Sequence, residues 1–388
     1  MTPSAHSQSL CRSAALAALL FLLNPRAARA EGSVTYKYED YRENGGRIAV
    51  KTQNALLEQD LGPDMHLKFE GVVDAIAGAT PNGQPAPAGS DQVVLAQLDE
   101  RREGWNANFS RQFPVTRIEL GLAHSSESDY KSTAWSVNTL TDFNQKNTTL
   151  LAGVAGNSDR LQVFYQPAWA DKRGHDLIVG LTQLLSPQTS VTFNFTAGHV
   201  AGYLSDQYKL VQKSIQVGPG IFLPITFGEN RPDHRNHWIA LAALNRAFPT
   251  LHGAVDASYR YYRNTFGVDS HTLELHWLQH IGPQLVLQPE IRWYEQSAAD
   301  FYYYQLDATP IIPTSGLPRT QGPFYSSDYR LSSLRSALYG LKAVWTPTAR
   351  WQFDVAVEHY AMRGRDGVTP QSAYPRAAIV TAGAKFSW

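Results

Sequence analysis

Residues 378–388 alternate two kinds of side chain. Ala378, Val380, Ala382, Ala384, Phe386 and Trp388 fall on one parity, Thr381, Lys385 and Ser387 on the other, and the sequence stops on the tryptophan. A period of two is the signature of a strand with one apolar face. A final strand that finishes on an aromatic ring suited to the headgroup level is what an outer-membrane barrel requires of its last strand.

The same alternation recurs along the chain. Leu285, Leu287, Pro289, Ile291 and Trp293 share one face, and Gln288, Glu290, Arg292, Tyr294 and Gln296 share the other. Trp351, Phe353, Val355 and Val357 stand against Gln352, Asp354 and Glu358; Val255, Ala257, Tyr259 and Tyr261 stand against Asp256, Ser258, Arg260 and Tyr262. Met65, Leu67, Phe69 and Val73 stand against His66, Lys68, Glu70 and Asp74. Each segment is long enough for the roughly 9–11 tilted residues of a transmembrane strand.

Short turns punctuate these segments, most with a proline that presets φ and cannot donate to a ladder. They are Gly62-Pro63-Asp64, Phe113-Pro114-Val115, Ser186-Pro187-Gln188, Phe248-Pro249-Thr250, Gly282-Pro283-Gln284 and Thr346-Pro347-Thr348, with Asn144–Asn147 a seventh that lacks proline. The remaining connections, 76–98, 157–172, 202–234, 299–328 and 363–374, are longer and polar. Short turns at one end and long loops at the other is the asymmetry of outer-membrane barrels.

These landmarks predict sixteen strands, at 33–41, 46–59, 65–75, 99–112, 115–126, 131–143, 148–156, 173–184, 189–201, 236–247, 251–263, 268–281, 285–298, 329–345, 349–362 and 376–388, with fourteen and eighteen as the alternatives. The pattern is weakest in 148–156 and in 236–247, where Ala240–Ala243 is apolar on both faces. An even count puts both chain ends on the periplasmic side, where Phe113, Trp345, Trp351, Phe386 and Trp388 form one aromatic girdle; Tyr259, Tyr261 and Trp293 belong to the outer one. The fold class is all-β, a transmembrane antiparallel up-and-down barrel over residues 31–388.

Residues 1–30 read as a cleaved secretory signal: Arg12, the apolar run Ala14–Leu23, Pro25, then Ala28-Arg29-Ala30 as a cleavage site. That run is too short to span a bilayer, and no later stretch approaches the apolar length a helical span needs. Cys11 is the sole cysteine, and it precedes the apolar run, so the processed chain has no thiol for a disulfide, a cysteine zinc site or covalent haem. A formal net charge of zero argues against nucleic acid as a partner. Only 18% of residues are charged, against about 25% in soluble domains, which suits a chain with a lipid-facing surface.

Four stretches resemble a known family. Asp74-Ala-Ile-Ala-Gly-Ala-Thr-Pro81, Asp142-Phe-Asn-Gln-Lys-Asn-Thr-Thr149, His271-Thr-Leu-Glu-Leu275 and Gln296-Ser-Ala-Ala-Asp-Phe-Tyr302 are similar to the DUF3570 family of predicted bacterial outer-membrane barrels, over nearly the whole processed chain. Segment 157–172 is shorter than the equivalent loop of many members. The resemblance implies fold and outer-membrane location; the family supplies no agreed catalytic residues.

The polar face supplies the candidate binding residues that line the lumen: Lys68, Glu70, Asp74, Glu100, Arg102, Arg117, Glu119, Arg260, Glu290, Arg292, Asp354 and Glu358, together with Lys37, Glu39, Lys51, Asp256, Glu274 and Lys385. Their signs nearly cancel, and Lys68/Glu70, Glu100/Arg102 and Arg117/Glu119 interleave across neighbouring strands. A selective pore concentrates one sign, so the expectation is a paired wall bracing a wet interior, with a selective permeation path as the alternative. A barrel of this width holds an aqueous channel unless loops fill it. The loops 202–234, 299–328 and 76–98 are the places for a constriction; 299–328 carries Pro310, Pro313, Pro318 and Pro323 with Tyr302, Tyr303, Tyr304 and Tyr325.

His124 and Ser126 continue the lipid-facing register at an outer strand end, the couple a membrane hydrolase would use as base and nucleophile, but no orienting third group is identifiable. His234 and His237, three apart, lack the further ligands a metal needs. No nucleotide or other cofactor motif occurs. The expected function is passage of a small solute through the outer membrane, passive or partner-assisted. A closed scaffold barrel holding a periplasmic or surface partner is the alternative, and a lipid-active enzyme at His124/Ser126 a third reading. The expected partners are outer-membrane lipid and either a small solute or a periplasmic protein.

Overall fold

The computed structural model describes residues 31–163, 168–313 and 321–388; the signal-peptide reading of residues 1–30 and Pro318 lie outside the described residues. Eighteen strands follow one another: β1 Gly32–Glu43, β2 Ala49–Asp60, β3 Met65–Pro81, β4 Leu95–Gln112, β5 Thr116–Ser126, β6 Tyr130–Phe143, β7 Thr148–Gln162, β8 Trp169–Ser186 and β9 Thr189–Gly202, then β10 Leu210–Gly218 and β11 Ile221–Gly228, then β12 His234–Phe248, β13 Gly253–Asn264, β14 Asp269–Ile281, β15 Leu285–Gln296, β16 Leu334–Trp345, β17 Trp351–Gly364 and β18 Arg376–Ser387. Sixteen of them close into an antiparallel barrel in chain order; β10 and β11 form a separate hairpin, so β9 pairs directly with β12. The ring is sealed by β1 and β18, whose register runs from Ser33 opposite Ser387 to Glu43 opposite Ala377. Closure removes the free edges that an open sheet would present.

Every predicted barrel strand is present, and the differences lie at the outer ends. β3 and β4 run on to Pro81 and back from Leu95, and β7 and β8 run to Gln162 and from Trp169, so strand takes up both ends of the expected loops 76–98 and 157–172. Above the lipid both faces of a strand meet water. There the outward residues Gln97, Asp99, Arg101 and Glu103 of β4 are as polar as the inward ones, and the alternation that marks a strand disappears. The expected strand 329–345 begins only at Leu334, because Tyr329–Leu331 is a single 3-10 turn capped by Asp328, whose side chain accepts from the Arg330 backbone N–H. The long region 202–234 holds the β10–β11 hairpin, turned through Gly218-Pro219-Gly220.

The seven short turns, six with proline and Asn144–Asn147 without, lie at the expected positions. Asn144, Gln145 and Lys146 all take positive φ, 49°, 55° and 67°, a conformation that asparagine tolerates and the others adopt only in a tightly held turn. The barrel wall turns its apolar residues outward: Leu122, Leu177, Val179, Phe193, Ile291, Leu341, Val355 and Val357 are all exposed. An exposed belt of this extent is matched to hydrocarbon and not to water. Among the described residues no helix is long and apolar enough to cross a membrane. The apolar clusters sit at the outer end, among the loops: Val93, Leu334, Ala373 and Tyr374; Phe266, Val268, Ala299 and Phe301; and Val211, Leu306 and Tyr325.

Candidate functional site: a capped lumen

Three loops that leave the ring at separated points meet one another. The β3–β4 connection is divided from the β9–β12 connection by four strands of the ring, and from the β15–β16 connection by another four. Even so, the Lys209 ammonium donates to the Pro81 carbonyl at 2.5 Å. The Leu210 N–H donates to the Asn82 carbonyl at 2.7 Å, and the Ser327 hydroxyl to the Gly83 carbonyl at 2.8 Å. Asn230 and Tyr325 exchange both backbone hydrogen bonds, at 2.9 and 2.8 Å. Gly83 takes φ +91°, and a Cβ there would collide with the Leu210 carbonyl and the Ser327 hydroxyl, so the close approach of two loops depends on glycine. Elements rooted so far apart touch only by crossing the mouth, and they form a cap over it.

At the centre of the cap Asp328 is buried to about 1% exposure between two guanidiniums. Arg231 Nη2 lies 2.9 Å from its Oδ2, and Arg330 reaches both its oxygens at 2.7–2.9 Å while also donating to Asp206 at 2.5 Å. Burial pushes the Asp328 carboxyl up, but Arg330 and Arg231 outweigh it and hold the carboxyl well below the usual range. Glu229, also buried and 2.6 Å from Arg231 Nε, moves the other way. Burial and the neighbouring Asp328 and Asp206 charges raise it, more than Arg231 lowers it. Burial alone would lower Arg231, yet the two carboxylates beside it hold it above its ordinary value. Lys209, between the cap and the Tyr329 ring, is lowered by burial.

Below the cap the wall is uneven. Inward positions of β13–β18 and β1–β5 carry the ionisable side chains, and mid-barrel inward positions of β6, β7 and β9, such as Ser136, Asn138, Gly153, Ala155, Thr192 and Asn194, are small and neutral. The inner parity of that half is uncharged at mid-height, which is why Ala240–Ala243 can be apolar on both faces of β12. The candidate wall residues take these partners. Lys68 pairs with Glu58 at 3.0 Å, across to β2, and not with Glu70. Glu70 accepts from Asn54 and, at 2.5 Å, from Asn106. Arg102 Nε donates to Asp74 at 2.7 Å, and Glu100 turns up to the Ser128 hydroxyl at 2.6 Å. Arg117 and Glu119 do meet, at 2.9 Å along one strand. Arg292 meets Glu274 at 3.0 Å, and Glu290 lies 3.3 Å from His276 Nδ1. Glu358 packs with Glu290 around Gly340, and Asp354 is buried against Gly383. Lys51 departs from its expected face: its neighbour Thr52 bonds Asp74 across the inner wall, so Lys51 faces out beside Asp40.

Arg260 makes no hydrogen bond or ion pair among the described residues. It lines a cavity of about 320 Å³ with Arg292, Tyr294, Gln296, Leu334, Ser336, Leu338, Tyr360, Met362 and, from the cap, Arg330. Gln296 fixes the roof: its amide donates to the carbonyls of Arg330 at 2.9 Å and Ser332 at 2.8 Å, and its own oxygen accepts from the Tyr294 hydroxyl at 2.6 Å. Arg330 was hidden from sequence reasoning because a strand through 329–345 would place it in the wall; Ser326-Ser327-Asp328 ahead of it is the turn signal that could have found it.

His124 Nδ1 bonds the Thr133 hydroxyl at 3.1 Å and its ring leans on Trp105 at 6.4 Å, with no hydrogen bond to Ser126 among the described residues. The catalytic couple considered for these two residues is not assembled. His234 and His237 sit three apart on a strand, hence on opposite faces: His234 meets Asp233 at 2.9 Å outside, His237 meets Asp176 at 3.0 Å inside.

The model of a family described as "Protein of unknown function (DUF3570)" matches residues 9–169 and 162–374. No curated protein matches the chain. Similar solved structures include a point mutant of the ferric enterobactin receptor PfeA from Pseudomonas aeruginosa, at 11% identity and TM-score 0.44, covering 91% of this chain and 59% of that one. They also include OpdK from Pseudomonas aeruginosa with vanillate, at 8% identity and TM-score 0.44, covering 93% and 99%. A bacterial polysaccharide outer membrane secretin is similar at 8% identity and TM-score 0.46, covering 92% and 98%. The chain thus spans about three fifths of the length of the siderophore receptor it matches.

Proposed function

This chain belongs to the DUF3570 family, and from that footing we propose that it is an outer-membrane barrel through which a small solute passes, passively or with the help of a partner. The reading takes residues 1–30 as an export signal and residues 31–388 as the barrel, with outer-leaflet and inner-leaflet lipid around the apolar belt. The observation that carries it is the combination of a wall of ionisable side chains with a cap of loops across one mouth. A wet, charged interior suits a path for polar solutes, and a cap suits control of entry. The function is not enzymatic in this reading, and no cofactor takes part.

One feature favours a second reading. The cap is cross-linked by buried ion pairs and by backbone hydrogen bonds between loops, as suits a closed barrel that displays a surface to a periplasmic or extracellular partner. Planar-bilayer recording of the refolded protein separates the two. Stepwise conductance is expected of the path, with Arg117→Ala and Arg292→Ala shifting ion preference towards cations. Silence over a wide voltage range removes the path and leaves the scaffold; conductance with an unchanged reversal potential shows that those arginines do not face it.

A further inference from the structure

The cavity under the cap has a composition that selects its occupant. Its lining holds three guanidiniums, Arg260, Arg292 and Arg330, and no carboxylate. Two are shared: Arg292 with Glu274 at 3.0 Å, Arg330 with Asp206 at 2.5 Å and with Asp328. Arg260 makes no hydrogen bond or ion pair among the described residues, so its donors are free to form a charge-assisted pair with an arriving anion. A guanidinium presents a planar fork matched to a carboxylate. The rest of the lining excludes a small hydrated ion as the best fit, because Tyr294, Tyr360, Leu334, Leu338 and Met362 offer apolar surface that such an ion cannot cover. The volume of about 320 Å³ is at the small end of ligand sites. Gln296 holds the Arg330 backbone to the wall, so roof and wall are fixed relative to each other before a ligand arrives.

We propose that this cavity is a binding site for a small organic carboxylate with a compact apolar or aromatic body, its carboxylate on Arg260 and its body between Tyr294, Tyr360 and Leu338. The proposal rests on the solute-passage reading for its biological meaning and on the cavity alone for its chemistry.

Calorimetric titration of the refolded protein in detergent micelles tests it, with benzoate, benzyl alcohol and inorganic phosphate as probes. Benzoate is expected to bind saturably, with the other two weaker by roughly tenfold or more, since a charge-assisted hydrogen bond or the apolar contact is missing in each. Arg260→Gln is expected to weaken benzoate by roughly tenfold or more on the same ground, Arg260→Lys by less, and Lys51→Gln on the outer face not at all. Leu338→Trp, which fills the cavity without touching the charge, should abolish binding, and it carries the test if Arg260→Gln does not refold. Benzoate affinity unchanged in both Arg260→Gln and Leu338→Trp overturns the proposal, as does equal affinity for benzyl alcohol or phosphate. Conductance without benzoate binding removes the site and leaves the path; benzoate binding in a protein that conducts nothing removes the path and leaves the site.

Discussion

At the scale of residues, the cap turns on two buried carboxylates that respond to protons in opposite senses. Asp328 is held below its ordinary value near 3.8. Its contribution is therefore present in full above that value and is lost as the pH falls through the lower, folded one. Glu229 is raised by burial and by the acids beside it, so its contribution is complete below the ordinary glutamate range and declines as the pH rises through the folded value. The substitutions follow. Asp328→Asn leaves Arg231 and Arg330 short of a counter-charge and is expected to destabilise the cap by about 3–5 kcal/mol, the cost of breaking a buried pair from one side. Glu229→Gln keeps the side-chain shape and an acceptor oxygen for the Ser326 hydroxyl, and is expected to cost less than Asp328→Asn, since Asp328 stands between two guanidiniums. Limited trypsin digestion of the folded barrel checks both, by the rate of cutting within 203–233 and 297–333; equal rates for the two variants would contradict this assignment. With pepsin in place of trypsin at acid pH, cutting of the cap should speed up as the pH falls below about 3.8, where the Asp328 contribution begins to be lost.

Single elements show where the sequence was readable. Strands that cross lipid were legible because one face must be apolar: β13, β15 and β17 can be traced from their alternating residues alone. Where strands rise above the lipid that constraint lapses, and the upper parts of β3, β4, β7 and β8 read as loop. The parity of the wall residues was legible too, but their partners were not. Partners depend on register across strands, which put Lys68 beside Glu58 and Arg102 beside Asp74. Arg330 was concealed by a local cap that only Asp328 explains. The β10–β11 hairpin was missed since it belongs to no barrel ladder and carries Pro224 and a Gly-Pro-Gly turn. That independence makes a prediction. Replacing residues 212–226 by a short glycine linker should leave the barrel assembled, with unchanged β circular dichroism, while conductance rises because the cap loses the hydrogen bonds of Lys213 to the Leu306 and Thr309 carbonyls and of Ser214 to Asp307. Loss of the barrel signal on this replacement would show that the hairpin is needed for the ring.

For the molecule as a whole, the outward apolar belt and the inward charges suit a barrel set in lipid. Val355, 51% exposed on β17, lies in that belt; Val355→Arg is expected to cost about 2–4 kcal/mol if the residue sits near the bilayer midplane. Denaturant titration of the bilayer-inserted protein measures this. A change within a few tenths of a kcal/mol would mean that the face meets water.

The seam between β1 and β18 joins residues as remote as Ser33 and Ser387. Such a link has the longest sequence separation in the barrel, a contact that costs the most chain entropy to close and that favours slow assembly. The same remoteness protects the finished cylinder: neither terminal strand can peel away without breaking two ladders along its full length.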